Sequence, residues 1–303
     1  MKKIYFLFVL ALFSTAGFAC PICGCGGTNT YMGLFPDFQN AFMGVRYNYS
    51  HLHTTLFGDA SQYSTNYYNT MEVWGGANVG RKFQVMGFIP YYSNKQIDDD
   101  GTTIRNGLGD VTLIGQYKVF ENTTLTGKRK VVRQQLWLGA GIKLATGYSG
   151  LDFSNADVTV ADVNAELGTG STDFLLNSMY NVRIKNFGIN ASANYKINTS
   201  NSSGYKYGNK FSSNVIAFYQ LNLGKSVIVP NAGIGYENVA GNFFNSSKVQ
   251  YTASNVTNAI TGIELNLRKV SVGVNAQVPI AQNFAEGQTQ LKLKGMAHVT
   301  FTL

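Results

Sequence analysis

Three thiols within six positions are the densest chemistry in this chain. Cys20, Cys23 and Cys25, in the stretch CPICGCGG, are all the cysteines among 303 residues. Soft thiolates at Cys-x-x-Cys-x-Cys spacing suit Cu(I) or Zn(II), and Pro21 with its neighbouring glycines lets the backbone wrap tightly around an ion. A lipid-carrying Cys20, or oxidation of Cys23 and Cys25 in an oxidising compartment, would use the same residues without a metal. Metal capture, lipidation and oxidation all stay open at this stage. His51 and His53 stand on one face of an extended segment, a second copper or zinc candidate whose plainer reading is a solvated loop. Asp98-Asp99-Asp100-Gly101 lacks the alternating ligands of a calcium loop. His298-Val299-Thr300 is the nearest approach to the His/Ser pair of a lipid-splitting barrel, but its His faces the polar side and Thr replaces Ser, so no enzyme is expected.

What positions these groups is read from the rest of the chain. Residues 1–19 have the form of a signal peptide: Lys2 and Lys3, the apolar run Ile4 to Phe13, then small residues at Gly17 and Ala19. A run of about ten is half of the roughly twenty residues that a spanning helix needs. Residues 20–39 form a Cys-rich segment, either a periplasmic tether or a plug, and 40–303 form the folded domain. Charged residues are 13% of the chain, while Gly (33), Tyr (18) and Phe (20) are plentiful. That charge share is about half that of a soluble domain. A mean hydropathy of −0.05 excludes a helical membrane protein. The formal charge of +8 comes with no basic helix, so nucleic acid is not an expected partner.

Period-two alternation recurs from residue 41 to the end and outlines twelve strands. Their apolar faces run from Ala41, Met43, Val45, Tyr47 and Tyr49 in the first to Leu291, Leu293, Gly295, Ala297, Val299, Phe301 and Leu303 in the last. None of the twelve faces carries Lys, Arg, Asp or Glu. The opposite faces carry Arg46, Glu72, Asp110, Lys118, Arg133, Lys143, Asp173, Arg183, Lys196, Glu237, Glu264, Arg268, Lys292 and Lys294. Alternation alone also fits a soluble barrel, so connection lengths decide. Long links at 50–68, 93–106, 147–170, 199–210, 239–256 and 281–289 alternate with tight turns at 80–82, 185–186, 224–225 and 268–269, the exception being 121–130. An even strand count with long loops at one end and short turns at the other is the layout of a transmembrane antiparallel β-barrel of the outer membrane, an up-and-down meander with both termini periplasmic. The apolar faces then meet lipid, and Tyr49, Tyr91, Tyr117, Tyr195, Tyr236 and Phe301 form interfacial girdles. Pro230 demands a bulge or a strand end.

Three stretches, GLGDVTLIGQYKV (Gly107 to Val119), KLATGYSG (Lys143 to Gly150) and LGTGSTDFLLNSMY (Leu167 to Tyr180), resemble motifs at strand starts in the MetA pathway of phenol degradation family. Those outer-membrane transporters are often encoded beside aromatic catabolism. The resemblance implies an outer-membrane pore and does not fix the solute.

The inward charged residues become pore-lining candidates: Arg46, Glu72, Asp110, Lys118, Arg133, Lys143, Asp173, Arg183, Lys196, Glu264, Lys292 and Lys294. They either bias the lumen toward anionic or neutral solutes or pair with one another across it. Asp110 and Asp173, directly after glycine-rich stretches, are expected to order loops. Twelve strands give a narrow lumen. The expected partners are outer-membrane lipid and a small solute, most simply a hydrophobic or aromatic one. A metal-linked barrel and a structural or adhesive barrel are the alternatives, and the oligomeric state is not fixed.

Overall fold

Strands that are apolar on one side and polar on the other can share a bilayer only by closing on themselves, because an edge would leave backbone N–H and C=O groups unpaired in hydrocarbon. The computed structural model, which describes residues 41–56, 59–99, 101–126, 130–150 and 166–303, closes in this way. Among the described residues the strands are β1 (Phe42–Leu56), β2 (Asp59–Val79), β3 (Phe83–Asp98), β4 (Gly101–Leu108), β5 (Thr112–Thr126), β6 (Lys130–Lys143), β7 (Asp173–Ile184), β8 (Phe187–Ile197), β9 (Tyr205–Lys206), β10 (Lys210–Tyr219), β11 (Leu221–Leu223), β12 (Ser226–Val239), β13 (Phe243–Phe244), β14 (Ser247–Lys248), β15 (Ser254–Leu267), β16 (Val270–Phe284) and β17 (Thr289–Thr302). All but β9, β13 and β14 belong to one antiparallel sheet of fourteen strands. Two staves are each built from a pair, β4 with β5 and β10 with β11, which leaves twelve staves in the ring. First and last strands meet: β1 pairs with β2 on one side and with β17 on the other. No helix among the described residues is long and apolar enough to cross a membrane.

Alternation sorts the residues as the sequence predicts. On β1, Met43, Val45 and Tyr47 are 51, 44 and 41% exposed, while Arg46 and Asn48 between them are 3 and 5% exposed. The apolar side looks outward and the ionised side inward. Aromatic residues stand outside at both ends: Tyr91, Tyr195 and Tyr236 toward the long connections (the loop end), Phe83, Tyr117, Phe187 and Phe301 toward the tight turns (the turn end).

Prolines mark where the ladder yields. Pro230 lies opposite the break between β10 and β11, where pairing passes from Phe218↔Asn231 to Leu221↔Ile228. Pro90 faces the 109–111 break, and Gly109 N–H donates to its carbonyl at 2.8 Å. Pro279 lies where β16 leaves β17, between the pairs Gln277↔Lys294 and Phe284↔Thr289. Each of these three residues, which have no N–H to donate, sits where the ladder is already interrupted.

Three expectations need correction. The links 50–68 and 93–106 are mostly strand, since β1 and β2 pair out to Leu56↔Asp59 and β3 and β4 to Asp98↔Gly101. These stretches are polar but rich in Thr and Tyr, which favour the extended backbone even where no core or lipid selects apolar residues. The exceptional link 121–130 is likewise strand, with β5 running to Thr126 and β6 starting at Lys130. Finally, β17 bulges: His51 pairs with Leu293 but Leu52 with Leu291, leaving Lys292 as the extra residue. A bulge reverses the inside–outside phase beyond it. Leu291 is therefore buried inside with Leu52, Val256 and Phe284, and Lys292 is exposed, its ammonium 2.6 Å from Gln290.

Candidate functional site: the barrel interior

Antiparallel register sets inward residues of neighbouring staves side by side, so the interior charges can be followed as contacts. Glu72 on β2 pairs with Arg46 on β1, both almost fully buried. The Arg46 guanidinium carbon lies 5.5 Å from the Trp74 ring centre and 5.7 Å from that of Phe88, a cation over two aromatic faces. Phe42 meets Trp74 edge-on at 5.1 Å, and Met86 and Ile114 complete this apolar cluster inside the wall. On the other side, His298 Nε2 lies 2.9 Å from Glu264 Oε2. These two sit on β17 and β15 and meet across β16 because the residue between them is Gly273: a Cβ there would stand 2.3 Å from the carboxylate and 2.4 Å from the imidazole.

Nearer the loop end, Glu237 on β12 takes Lys294 at 2.8 Å and Lys210 at 3.1 Å, one on each carboxylate oxygen. At the turn end, Glu121 takes Lys118 at 2.7 Å together with Arg133 and Gln135. Arg183 donates instead to Gln220 at 2.7 Å.

The motif stretches converge at the loop end. Lys143 Nζ reaches Asp110 at 2.5 Å, Asp173 at 2.9 Å and the Ser171 carbonyl at 3.0 Å, and it also donates to the Thr169 hydroxyl. Asp110 accepts the backbone N–H groups of Gly147 and Thr169, each at 2.9 Å. Asp173 accepts the Ser171 hydroxyl at 2.9 Å and Thr199 N–H at 3.0 Å, with Lys196 at 3.4 Å. Two carboxylates and one ammonium thus tie the 109–111 break, the end of β6 and the start of β7 to the connections beside them. Asp110 lies in the 109–111 break, outside the strands; burial would raise its pKa, but the Lys143 charge and these N–H donors outweigh burial and hold it below the usual carboxylate range.

Replacing Lys143 with Met should leave Asp110 and Asp173 as buried carboxylates without their shared cation, costing about 3 kcal/mol or more. Faster limited proteolysis at 144–150 and 166–172, with strand content by circular dichroism retained, is the expected result.

Of the remaining sequence candidates, His51 and His53 stay apart from any metal set. His51 stacks on Tyr67 at 4.7 Å, and His53 Nδ1 lies 2.9 Å from the Thr65 hydroxyl. No group of three or more His, Cys, Asp or Glu side chains among the described residues is arranged to hold an ion. Cys20, Cys23 and Cys25 lie outside the described residues. Sequence reasoning passed over the inward aromatic residues, and the strict even–odd phase of Trp74 with Glu72 and of Phe88 with Met86 was the signal that could have found them.

Comparison with known proteins gives fold without family. No family model and no curated protein sequence matches the chain. Among solved structures, the COG4313 outer membrane channel from Pseudomonas putida F1 aligns at a TM-score of 0.61 with 14% identity, covering 89% of this chain and 100% of that one. The β-domain of the Bordetella autotransporter BrkA aligns at 0.50 with 11% identity, covering 87% and 100%. Both place the chain in the outer-membrane β-barrel fold.

Proposed function

We propose that this chain is an outer-membrane channel for small solutes with apolar or aromatic bodies, its long connections facing the cell exterior and its termini the periplasm. The observation that carries the reading is the cluster of Phe42, Trp74, Met86, Phe88 and Ile114 on the inner wall. A water-filled porin has a polar interior and no use for inward aromatic residues. These five side chains are only 1–7% exposed, so an apolar solute gains at about 25 cal/mol per Å² over the surface it covers as they part around it, and offset rings add about 0.5–1.5 kcal/mol per aromatic pair. The ion pairs support the same reading: most inward charges have an opposite partner, and the excess is modest and positive, since Glu121 and Glu237 each take two cations and Arg183 bonds an amide, so the lumen does not carry the strong field of one sign that would select ions. The likeness in fold to an outer membrane channel from Pseudomonas putida F1 is consistent with a pore.

The test is uptake of an aromatic solute, such as benzyl alcohol, by vesicles whose outer leaflet is lipopolysaccharide. Protein-dependent uptake should exceed that of a sugar of similar mass, and Trp74→Ala with Phe88→Ala should lower it about three- to tenfold, the kinetic equivalent of one lost aromatic pair. Uptake no faster than in protein-free vesicles, or equal rates for the sugar, would overturn the proposal.

A further inference from the structure

The wall made by β1, β17, β16, β15 and β12 is ordered in rows. One row reads Asn48, Met296, Asn275, Gly262, Asn231, each residue in register with the next. The row below, toward the turn end, is the paired set Arg46, His298, Gly273, Glu264. The row above holds Lys294, whose ammonium is bound to Glu237. An uncharged row rich in amides therefore lies between two rows whose ionisable side chains are paired.

The ionisable side chains of the flanking rows have partners, whereas several amide atoms of the middle row have none within the chain. Both amide atoms of Asn48, Nδ2 of Asn275 and Oδ1 of Asn231 make no hydrogen bond, although these residues are only 5, 8 and 6% exposed. The other atom of each facing pair is used: Asn275 Oδ1 accepts from Gln277 at 3.4 Å, and Asn231 Nδ2 donates to the Val229 carbonyl at 3.3 Å. One donor and one acceptor remain on either side of Gly262. A Cβ at that glycine would stand 2.9 Å from Asn231 Oδ1 and 2.9 Å from Asn275 Cβ, so its absence leaves room for the Asn231 amide to lean over β15 toward the stem of Asn275. Beside it lies a buried apolar cluster of Ile216, Ile260 and Met296. Native proteins leave few buried polar groups unpaired, and such groups beside an apolar surface are completed by water or by a ligand that displaces it.

We infer that this row is a binding station for a neutral, hydroxyl-bearing solute with an apolar body. The hydroxyl accepts from Asn275 Nδ2 and donates to Asn231 Oδ1, and the body packs on Ile260 and Met296. Only a group that is donor and acceptor at once satisfies both amides. A carboxylate has no proton to give, an ammonium has no lone pair to offer, and a hydrocarbon leaves both amides unpaired. The inference deepens the channel proposal and rests on its claim that solutes enter the barrel interior.

The protein in lipid nanodiscs would be titrated, against empty nanodiscs, with cyclohexanol, methylcyclohexane, cyclohexanecarboxylate, cyclohexylamine and methoxycyclohexane. Cyclohexanol should bind saturably and about tenfold tighter than the others, the ether included because it accepts but cannot donate. Asn275→Leu and Asn231→Leu should each erase that preference, with folding checked by retention of the compact gel mobility of an unheated barrel. The ether comparison uses unmodified protein and decides the matter even if a variant fails to fold. Equal affinity for cyclohexanol and methylcyclohexane, or a preference that survives both substitutions, overturns the station. Uptake into vesicles separates the two proposals: uptake without hydroxyl preference rejects the station and leaves the channel, whereas hydroxyl-selective binding without uptake supports the station and rejects the channel.

Discussion

Val274→Arg is expected to destabilise the protein in lipid by about 2–4 kcal/mol, the cost of an arginine on the lipid side near the midplane. Val274 is 49% exposed, points outward on β16, and lies four residues from the turn that joins β15 to β16. The control is depth. Leu223, 60% exposed and adjacent to the 224–225 turn, also points outward, but its arginine reaches water, so Leu223→Arg should cost about 0–1 kcal/mol. Urea unfolding in lipid vesicles, followed by the fluorescence of Trp74 and Trp137, measures both. A soluble barrel with a watery exterior would show two small and equal effects. That result would remove the membrane assignment on which the channel proposal stands.

The outward face was legible in the sequence because it obeys the one rule that a lipid environment would impose: no charge, period two, aromatic residues at the ends. Twelve staves and their turns follow from that rule together with backbone closure. What it does not encode is the phase change at Lys292. An inserted residue leaves the residues around it chemically unremarkable, and Leu291 reads as lipid-facing until its partner Leu52 is known to be inside. The interior was less legible for a different reason. Inward residues answer to partners on other staves, so the pairing of Glu264 with His298 depends on a glycine in an intervening strand, and Lys143 meets Asp110 and Asp173 only after three separated stretches come together. Asp110 and Asp173 could be assigned to loop ordering from their glycine-rich context. Their common cation could not.

Glu72→Leu should be the most damaging single change inside the barrel, with a cost of about 3–5 kcal/mol. Glu72 is fully buried and Arg46 is 3% exposed, so removing the carboxylate leaves a guanidinium charge in a wall that offers little water. The rings of Trp74 and Phe88 beside Arg46 soften this only in part, because a cation over an aromatic face gains about 0.5–2 kcal/mol while losing its carboxylate costs more. Arg46→Met should be the milder of the two single changes, since methionine fills much of the same volume against the rings. The double variant Arg46→Met with Glu72→Leu should recover most of the loss: an apolar pair that fits the site is often as stable as the buried ion pair it replaces, and here it would extend the cluster of Phe42, Met86 and Ile114. A coupling of about 2 kcal/mol or more in this double-mutant cycle, read from unfolding in vesicles, is the expected outcome. Additive single effects would mean that the two charges are held by other groups. The double variant also separates stability from passage: if the aromatic wall is what solutes use, uptake of a neutral aromatic solute should persist in it, whereas a path that depends on the Arg46 charge would lose uptake along with the pair.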